Sequence, residues 1–327
     1  MANTFKKGFN ENILHIEDIE KTVDTIVTKL KADTHKKLKR FGGVVGISGG
    51  IDSSVTMALA ARAFGPEKVL GVMLPEKDSS SDSENLAKQL ADKFGVKTIT
   101  ENVSQALAGF GCYERRDEAV KRAFPEYDPS VYKMKIGIKQ PPQSKLPPVF
   151  SVIIVDPEGN EKSTVLHARD YMQIVAASNF KQRSRMSMLY YHAERLHYAV
   201  IGTPNKHEVE QGFFVKYGDG GADIMPIGDY YKTQVYQMAE YLGVPQEIID
   251  RTPTTDTYSA EQTQEEFFYQ FPFSIMDLLW YGYENNYDPK EVGEVMGFSK
   301  EEILGIFENF KRKQETTEYL RMGPIRE

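Results

Sequence analysis

Apolar runs and amphipathic stretches take turns along the chain, and their order sets the first expectations. Ile16, Ile19, Val23, Ile26, Val27 and Leu30 recur at helical spacing with lysines crowding the end, so the spacing predicts one helix over 15–40. From residue 44 onward short apolar runs alternate with helix patterns. Strands are expected at 44–47, 69–74 and 96–99, with helices at 54–64 and 84–94, the second stopped by Gly95. A long helical pattern covers 168–196, a fourth strand 198–201, and a helix 230–242 stopped by Gly243. Strand–helix–strand alternation of this kind predicts an α/β fold: a doubly wound, Rossmann-like parallel sheet with helices on both faces.

Two regions break the rhythm. Residues 108–166 are rich in Tyr, Lys and Pro, and hold Pro141-Pro142 and Pro147-Pro148. Within them, apolar residues 149–155, a turn at Asp156-Pro157-Glu158-Gly159-Asn160, and residues 163–166 read as a β-hairpin. This stretch is expected to be an insertion into a single domain spanning 1–327. From about 245 the pattern reads as short helices and loops, a helical C-terminal extension.

The most informative string is Ser48-Gly49-Gly50-Ile51-Asp52-Ser53-Ser54, between the first strand and the first sheet-covering helix. Backbone N–H groups in such a loop and at a helix start face an anion, and glycines let the backbone approach phosphate oxygens. Asp52 would repel phosphate unless a cation such as Mg²⁺ lay between them. The string is neither a Walker loop nor a dinucleotide fingerprint. Gly202-Thr203-Pro204-Asn205-Lys206-His207-Glu208 follows the fourth strand, on the same sheet edge, and Glu208 is a candidate second carboxylate for the metal. Beyond it, Lys216-Tyr217-Gly218-Asp219-Gly220-Gly221-Ala222-Asp223 offers a cation and two acids in a tight loop, and Lys232 offers a second cation. Asn179-Phe180-Lys181-Gln182-Arg183-Ser184-Arg185-Met186 concentrates cations on the long helix, for which an exposed charged face is the ordinary reading. His167, His192, His197 and His207 have no metal-ligand spacing and read as ordinary.

Composition narrows the class. The net charge of −7 implies no broad basic surface, which disfavours nucleic acid as a partner. A single cysteine, Cys112, rules out an intrachain disulfide, a CxxC pair or a cysteine zinc cluster, and reads as a buried thiol. No segment approaches the ~20 apolar residues of a membrane span. Met1-Ala2-Asn3-Thr4-Phe5-Lys6-Lys7 has no apolar signal core, so a cytoplasmic protein is expected.

The Ser-Gly-Gly-x-Asp-Ser pattern resembles the phosphate loop of the ATP pyrophosphatases, and the strings taken in order resemble the NAD synthetases within that group. The resemblance implies an enzyme that uses ATP to adenylate the carboxylate of deamido-NAD, after which ammonia displaces AMP to give NAD, AMP and pyrophosphate. It implies Asp52 and Glu208 as Mg²⁺ ligands. It places Ser48, Gly49, Gly50, Asp52, Ser53, Ser54, Thr203, Lys216 and Lys232 on ATP, and Arg183, Asp219 and Asp223 on the substrate side. Asp52, Lys216, Asp219 and Asp223 would be the catalytic set. It further implies a homodimer, and nitrogen taken from free ammonia or a separate partner. The match is weaker at Pro253-Thr254-Thr255-Asp256 and in the tail, and Gln182 stands where the family usually has alanine. A related ligase that amidates another small carboxylate is the alternative reading.

Overall fold

The structure is a computed structural model and describes residues 8–79, 81–138, 149–254 and 257–326. The chain begins with α1 (Ile19–Ala32) and then alternates β1 (Gly43–Gly46), α2 (Ile51–Phe64), β2 (Val69–Met73), α3 (Ser81–Phe94) and β3 (Lys97–Thr100). Helices α4 (Ser104–Gly109) and α5 (Cys112–Ala123) lead to β4 (Lys133–Ile138), β5 (Phe150–Val155) and β6 (Glu161–Val165). The long α6 (Ala168–Leu196) returns the chain to β7 (Ala199–Ile201). Then come α7 (Lys206–Gln211), α8 (Lys232–Leu242), α9 (Gln246–Ile249), α10 (Phe273–Glu284), α11 (Pro289–Met296) and α12 (Lys300–Arg321).

The expected parallel sheet is present, with strand order β3-β2-β1-β7 and every pairing parallel. Strands β1, β2 and β7 are apolar runs because both faces are covered, whereas the edge strand β3 is largely polar and partly exposed. Val45 and Ile47 face a cluster formed with α1, α2 and α8, whereas Val44, Leu70, Val72 and Val200 face Met186, Leu189 and Ala193 of α6. Helix α2 is apolar almost all round, as befits a helix enclosed by the sheet and its neighbours. The order reverses at β1, since β2 and β3 lie on one side and β7 on the other. The loops leaving β1 and β7 therefore flank one crevice at the carboxyl edge.

Helix α1 is shorter than its periodicity predicts. Asp18 caps its start by accepting the Lys21 N–H, and after Ala32 the backbone widens into a turn over Asp33–Lys37. In 108–166 the expected hairpin is β5 and β6, paired around the 156–160 turn, and β4 adds a third strand on the far side of β5. The Lys133-Met134-Lys135-Ile136 alternation carried the period of a strand; Met134 and Ile136 turn inward with Val152 and Ile154 against Val120 of α5 and Ile174 of α6. Both proline pairs lie outside the described residues.

The C-terminal part is an aromatic core around Trp280, Tyr269, Phe273, Tyr287 and Phe310, enclosed by α10, α11 and α12. Helix α12 runs for 22 residues, longer than the short helices expected there. Its charged residues dilute the apolar spacing, but Ile303, Ile306 and Phe310 still keep to one face, and Ser299 and Glu302 form a reciprocal capping box at its start. Replacing Ser299 by alanine removes one half of that box. We expect a loss of about 1 kcal/mol of unfolding free energy in urea titration; an unchanged midpoint would show that the helix start is held by other contacts.

Candidate active site

Residues 48–50 leave β1 and turn sharply into α2. Gly49 has φ +73°, and a Cβ there would stand 2.6 Å from the Ser83 carbonyl oxygen, so only glycine fits. The turn is bound to itself: Ser53 Oγ and Ser54 Oγ donate to the Gly50 carbonyl at 3.0 and 2.8 Å, and Gly50 N–H donates to Ser48 Oγ at 3.3 Å. These bonds occupy the Gly50 carbonyl and N–H, and Ser53 and Ser54 are buried at the start of α2.

Asp52, in the first turn of α2, is held from two sides. Lys232 Nζ, at the start of α8, donates to Oδ2, and Asn205 Nδ2 donates to Oδ1 at 3.2 Å. Asn205 also caps α7, taking the N–H groups of His207 and Glu208 on its side-chain oxygen, while its own N–H donates to Glu208 Oε2 at 2.9 Å. Glu208 is thereby turned back toward Asp52. Burial, and then the Asp52 charge, push the Glu208 carboxyl up to about 8, against the pull of Lys232. Burial opposes the charge on Lys232, but Asp52 and Glu208 outweigh it and hold the ammonium above its ordinary range.

Two carboxylates thus share one ammonium, a donor set that fits a divalent cation. Among the described residues no group of three or more His, Cys, Asp or Glu side chains is placed to hold a metal. Asp52 and Glu208 alone match the mode in which Mg²⁺ takes one or two carboxylates and completes its shell with phosphate oxygens and water.

The other expected residues divide. Asp219 lies within electrostatic reach of Glu208; its Oδ1 accepts the Val215 N–H at 2.8 Å, and burial pushes its carboxyl up to about 6. Arg183 Nε donates to the Lys216 carbonyl at 3.2 Å, which brings α6 and this loop together. Lys216 Nζ itself donates at 2.7 Å to the carbonyls of Tyr319 and Met322, at the end of α12, and not to the Ser48 loop. Asp223 accepts the Val200 N–H at 2.8 Å and the Tyr190 hydroxyl at 3.0 Å, at the outer side of β7. Thr203 follows β7 directly and is half-buried.

Several contacts at and around the site were not expected from the sequence. Asn205 had no assigned role, though Asn three residues before Glu is a cap signature. Lys181 is buried, not part of an exposed charged face: its Nζ donates to Glu76 Oε1, Asp78 Oδ2 and the Thr257 carbonyl at 2.8, 2.9 and 3.2 Å. Arg116 of α5 adds a second cation on Asp78 at 2.7 Å. Helices α5 and α6 are thus tied to the loop after β2. His207 is wholly buried and pairs with Asp277. Cys112 is buried as expected, and burial raises its thiol above the ordinary range. Thr255 and Asp256 lie outside the described residues.

A family model described as NAD synthase matches residues 18–123 and 152–320. Over 308 residues the chain is 45% identical to the NH(3)-dependent NAD(+) synthetase of Mesorhizobium japonicum, covering 94% of this chain and 96% of that protein. The corresponding protein of Rhizobium meliloti is 42% identical, with coverage of 97% and 94%. Among solved structures, the NH3-dependent NAD synthetase of Campylobacter jejuni in complex with the nitrate ion shares the fold at a TM-score of 0.62 and 20% identity, covering 95% of this chain and 99% of its own. An NMN synthetase from Francisella tularensis does so at 0.64 and 21%, with the same coverage.

The raised Glu208 carboxyl has a pH consequence. It keeps its proton in the folded chain at pH values where the unfolded chain has lost it, so its contribution to the stability of the metal-free protein is lost as pH rises from 4.5 toward about 8. Asp219 adds to the lower part of that slope. We expect Glu208→Gln to flatten the slope above pH 6 in thermal unfolding without metal; an unchanged slope would place the titration elsewhere.

Proposed function

The chain belongs to the NAD synthase family, and from that premise we propose that it is the ammonia-dependent ligase that converts deamido-NAD to NAD, releasing AMP and pyrophosphate from ATP. The observation that carries this reading is identity of 45% to an ammonia-dependent NAD synthetase over nearly the whole of both chains. Amidation of a different carboxylate is not favoured.

The chemistry follows from what a carboxylate lacks. Its oxygen is a very poor leaving group, so ammonia cannot displace it. Attack of a carboxylate oxygen on the α-phosphorus of ATP expels pyrophosphate and forms a mixed anhydride with AMP. Ammonia then adds at the carbonyl carbon, AMP leaves with the electron pair of the broken C–O bond, and the nitrogen gives up a proton to leave the neutral amide. Charge stabilisation and alignment are the main tasks left to the protein.

The backbone of 49–53 and the hydroxyls of Ser48, Ser53 and Ser54 hold the pyrophosphate end of ATP at the start of α2. Lys232 moves its ammonium from Asp52 toward phosphate oxygen as nucleotide enters, which frees Asp52. Asp52 and Glu208 would hold Mg²⁺, which would offset charge on the leaving pyrophosphate. Thr203 contacts the nucleotide. Arg183, Asp219 and Asp223 serve the acceptor and ammonia side and Lys216 serves ATP, supported by the Arg183–Lys216 contact and by Asp219 lying within electrostatic reach of Glu208. Lys216 leaves the α12 carbonyls when it engages substrate.

The domain arrangement we favour is one domain with an insertion at about 108–166 and a helical extension from about 245. A homodimer is supported by exposed Phe110, which packs on Phe180, and by exposed Tyr191, eleven residues along α6 on the same face. A cytoplasmic location suits the substrates; among the described residues no helix is long and apolar enough to cross a membrane.

The test is direct. With ATP, Mg²⁺, ammonium and deamido-NAD, we expect NAD, AMP and pyrophosphate in equal amounts. Pyrophosphate release with some other acid but not with deamido-NAD would reject the acceptor. Asp52→Asn is expected to abolish turnover while leaving the circular dichroism spectrum intact; a wild-type rate at saturating Mg²⁺ would remove Asp52 from the metal.

A further inference from the structure

Glu208 and Lys232 sit on two different helices. Helix α7 has six residues, too short for its own hydrogen bonds to orient it. Lys232 is the first residue of α8. A third helix, α10, holds both. Asp277 of α10 uses one carboxylate oxygen for each: Oδ1 lies 2.6 Å from His207 Nε2, one residue before Glu208, and Oδ2 accepts the Thr233 N–H at 2.7 Å, one residue after Lys232. The His207 and Asp277 side chains are wholly buried. On the other edge of the ring, Gln211 Nε2 lies 3.0 Å from Nδ1 and 3.6 Å from the Met276 sulfur, so the amide faces both as a donor and the ring proton points from Nε2 to Asp277. Tyr231, Tyr269 and Trp280 enclose the imidazole at centroid distances of 5.6, 5.7 and 6.0 Å.

Seven residues further along α10, and so on the same face, Glu284 repeats the arrangement. One oxygen pairs with Lys206 of α7 at 3.1 Å, and the other accepts the Tyr231 hydroxyl, just before α8, at 2.6 Å.

We propose that Asp277, assisted by Glu284, is the positioning group that sets Glu208 and Lys232 against Asp52, so that α10 splints the metal and phosphate site without touching substrate. This rests on the roles given above to Asp52, Glu208 and Lys232. Asparagine at 277 keeps the shape but presents one acceptor and one donor to two donors, so one strut fails. Outer partners of metal ligands typically govern metal affinity or activity by about 10–100-fold.

The experiment measures Mn²⁺ affinity by calorimetry in the presence of a non-hydrolysable ATP analogue, together with KM for Mg–ATP, kcat and melting temperature. Four variants are compared: Asp277→Asn, Glu284→Gln, Glu208→Gln and Trp280→Phe. We expect Asp277→Asn to weaken Mn²⁺ binding about tenfold or more and to raise KM for Mg–ATP more than it lowers kcat. Glu284→Gln, at the partly exposed end, should shift both the same way by less, and carries the test should Asp277→Asn fail to fold. Trp280→Phe should lower the melting temperature at wild-type Mn²⁺ affinity. The proposal is overturned if Glu208→Gln loses Mn²⁺ affinity while the Asp277 and Glu284 variants bind as wild type and merely melt earlier. Wild-type affinity in Glu208→Gln would overturn the metal site and the splint together.

Discussion

The carboxyl edge of the sheet is governed by one imbalance of charge: Asp52 and Glu208 face a single ammonium, that of Lys232. In a partly buried place two like charges repel strongly, and the surplus must be met by a proton or a cation. Burial first, and then the Asp52 charge, favour a proton on Glu208 and hold its carboxyl far above the ordinary range. In the function proposed above, a divalent cation would meet the surplus when nucleotide binds. The rest of the molecule keeps this imbalance in place. Parallel β1 and β7 bring the two loops to one crevice, the Gly49 turn starts α2 beneath it, and Asn205 ties Glu208 and Asp52 into one network.

Around this centre the structure is anchored at two distances. Nearby, α10 reaches both α7 and α8 through Asp277 and Glu284, so the aromatic C-terminal core is mechanically joined to the site. Further out, Lys181 and Arg116 bind Glu76 and Asp78 and hold α5 and α6 to the loop after β2. The β4–β5–β6 sheet rests on the same two helices, and its outer strand β4 accepts the Ala260 N–H at Met134 and the Gln262 side chain at Ile136. Strand β4, which lies in the part of the chain that the family model leaves unmatched, thereby contributes to holding the segment that follows Thr257.

Much of this was legible in the chain. Parallel strands buried on both faces read as plain apolar runs, and the turn from β1 into α2 carries its glycines and hydroxyls in seven consecutive residues. What escaped has a common cause: contacts between residues far apart in sequence leave no local period. Nothing near His207 announces Asp277, seventy residues on, and nothing near Lys181 announces Glu76. Strand β4 and helix α12 differ, for their signals were present in the Lys133–Ile136 alternation and the Ser299–Glu302 cap, but lysines and glutamates diluted them.

The central claim is that a proton on Glu208 and a divalent cation compete for the same pair of carboxylates. Calorimetric titration of Mg²⁺ with a non-hydrolysable ATP analogue at pH 7, in buffers of different ionisation enthalpy, measures that competition directly. The account predicts release of about one proton per metal bound, diminished in Glu208→Gln. Metal binding with no proton released, or with the same release in Glu208→Gln, would contradict it.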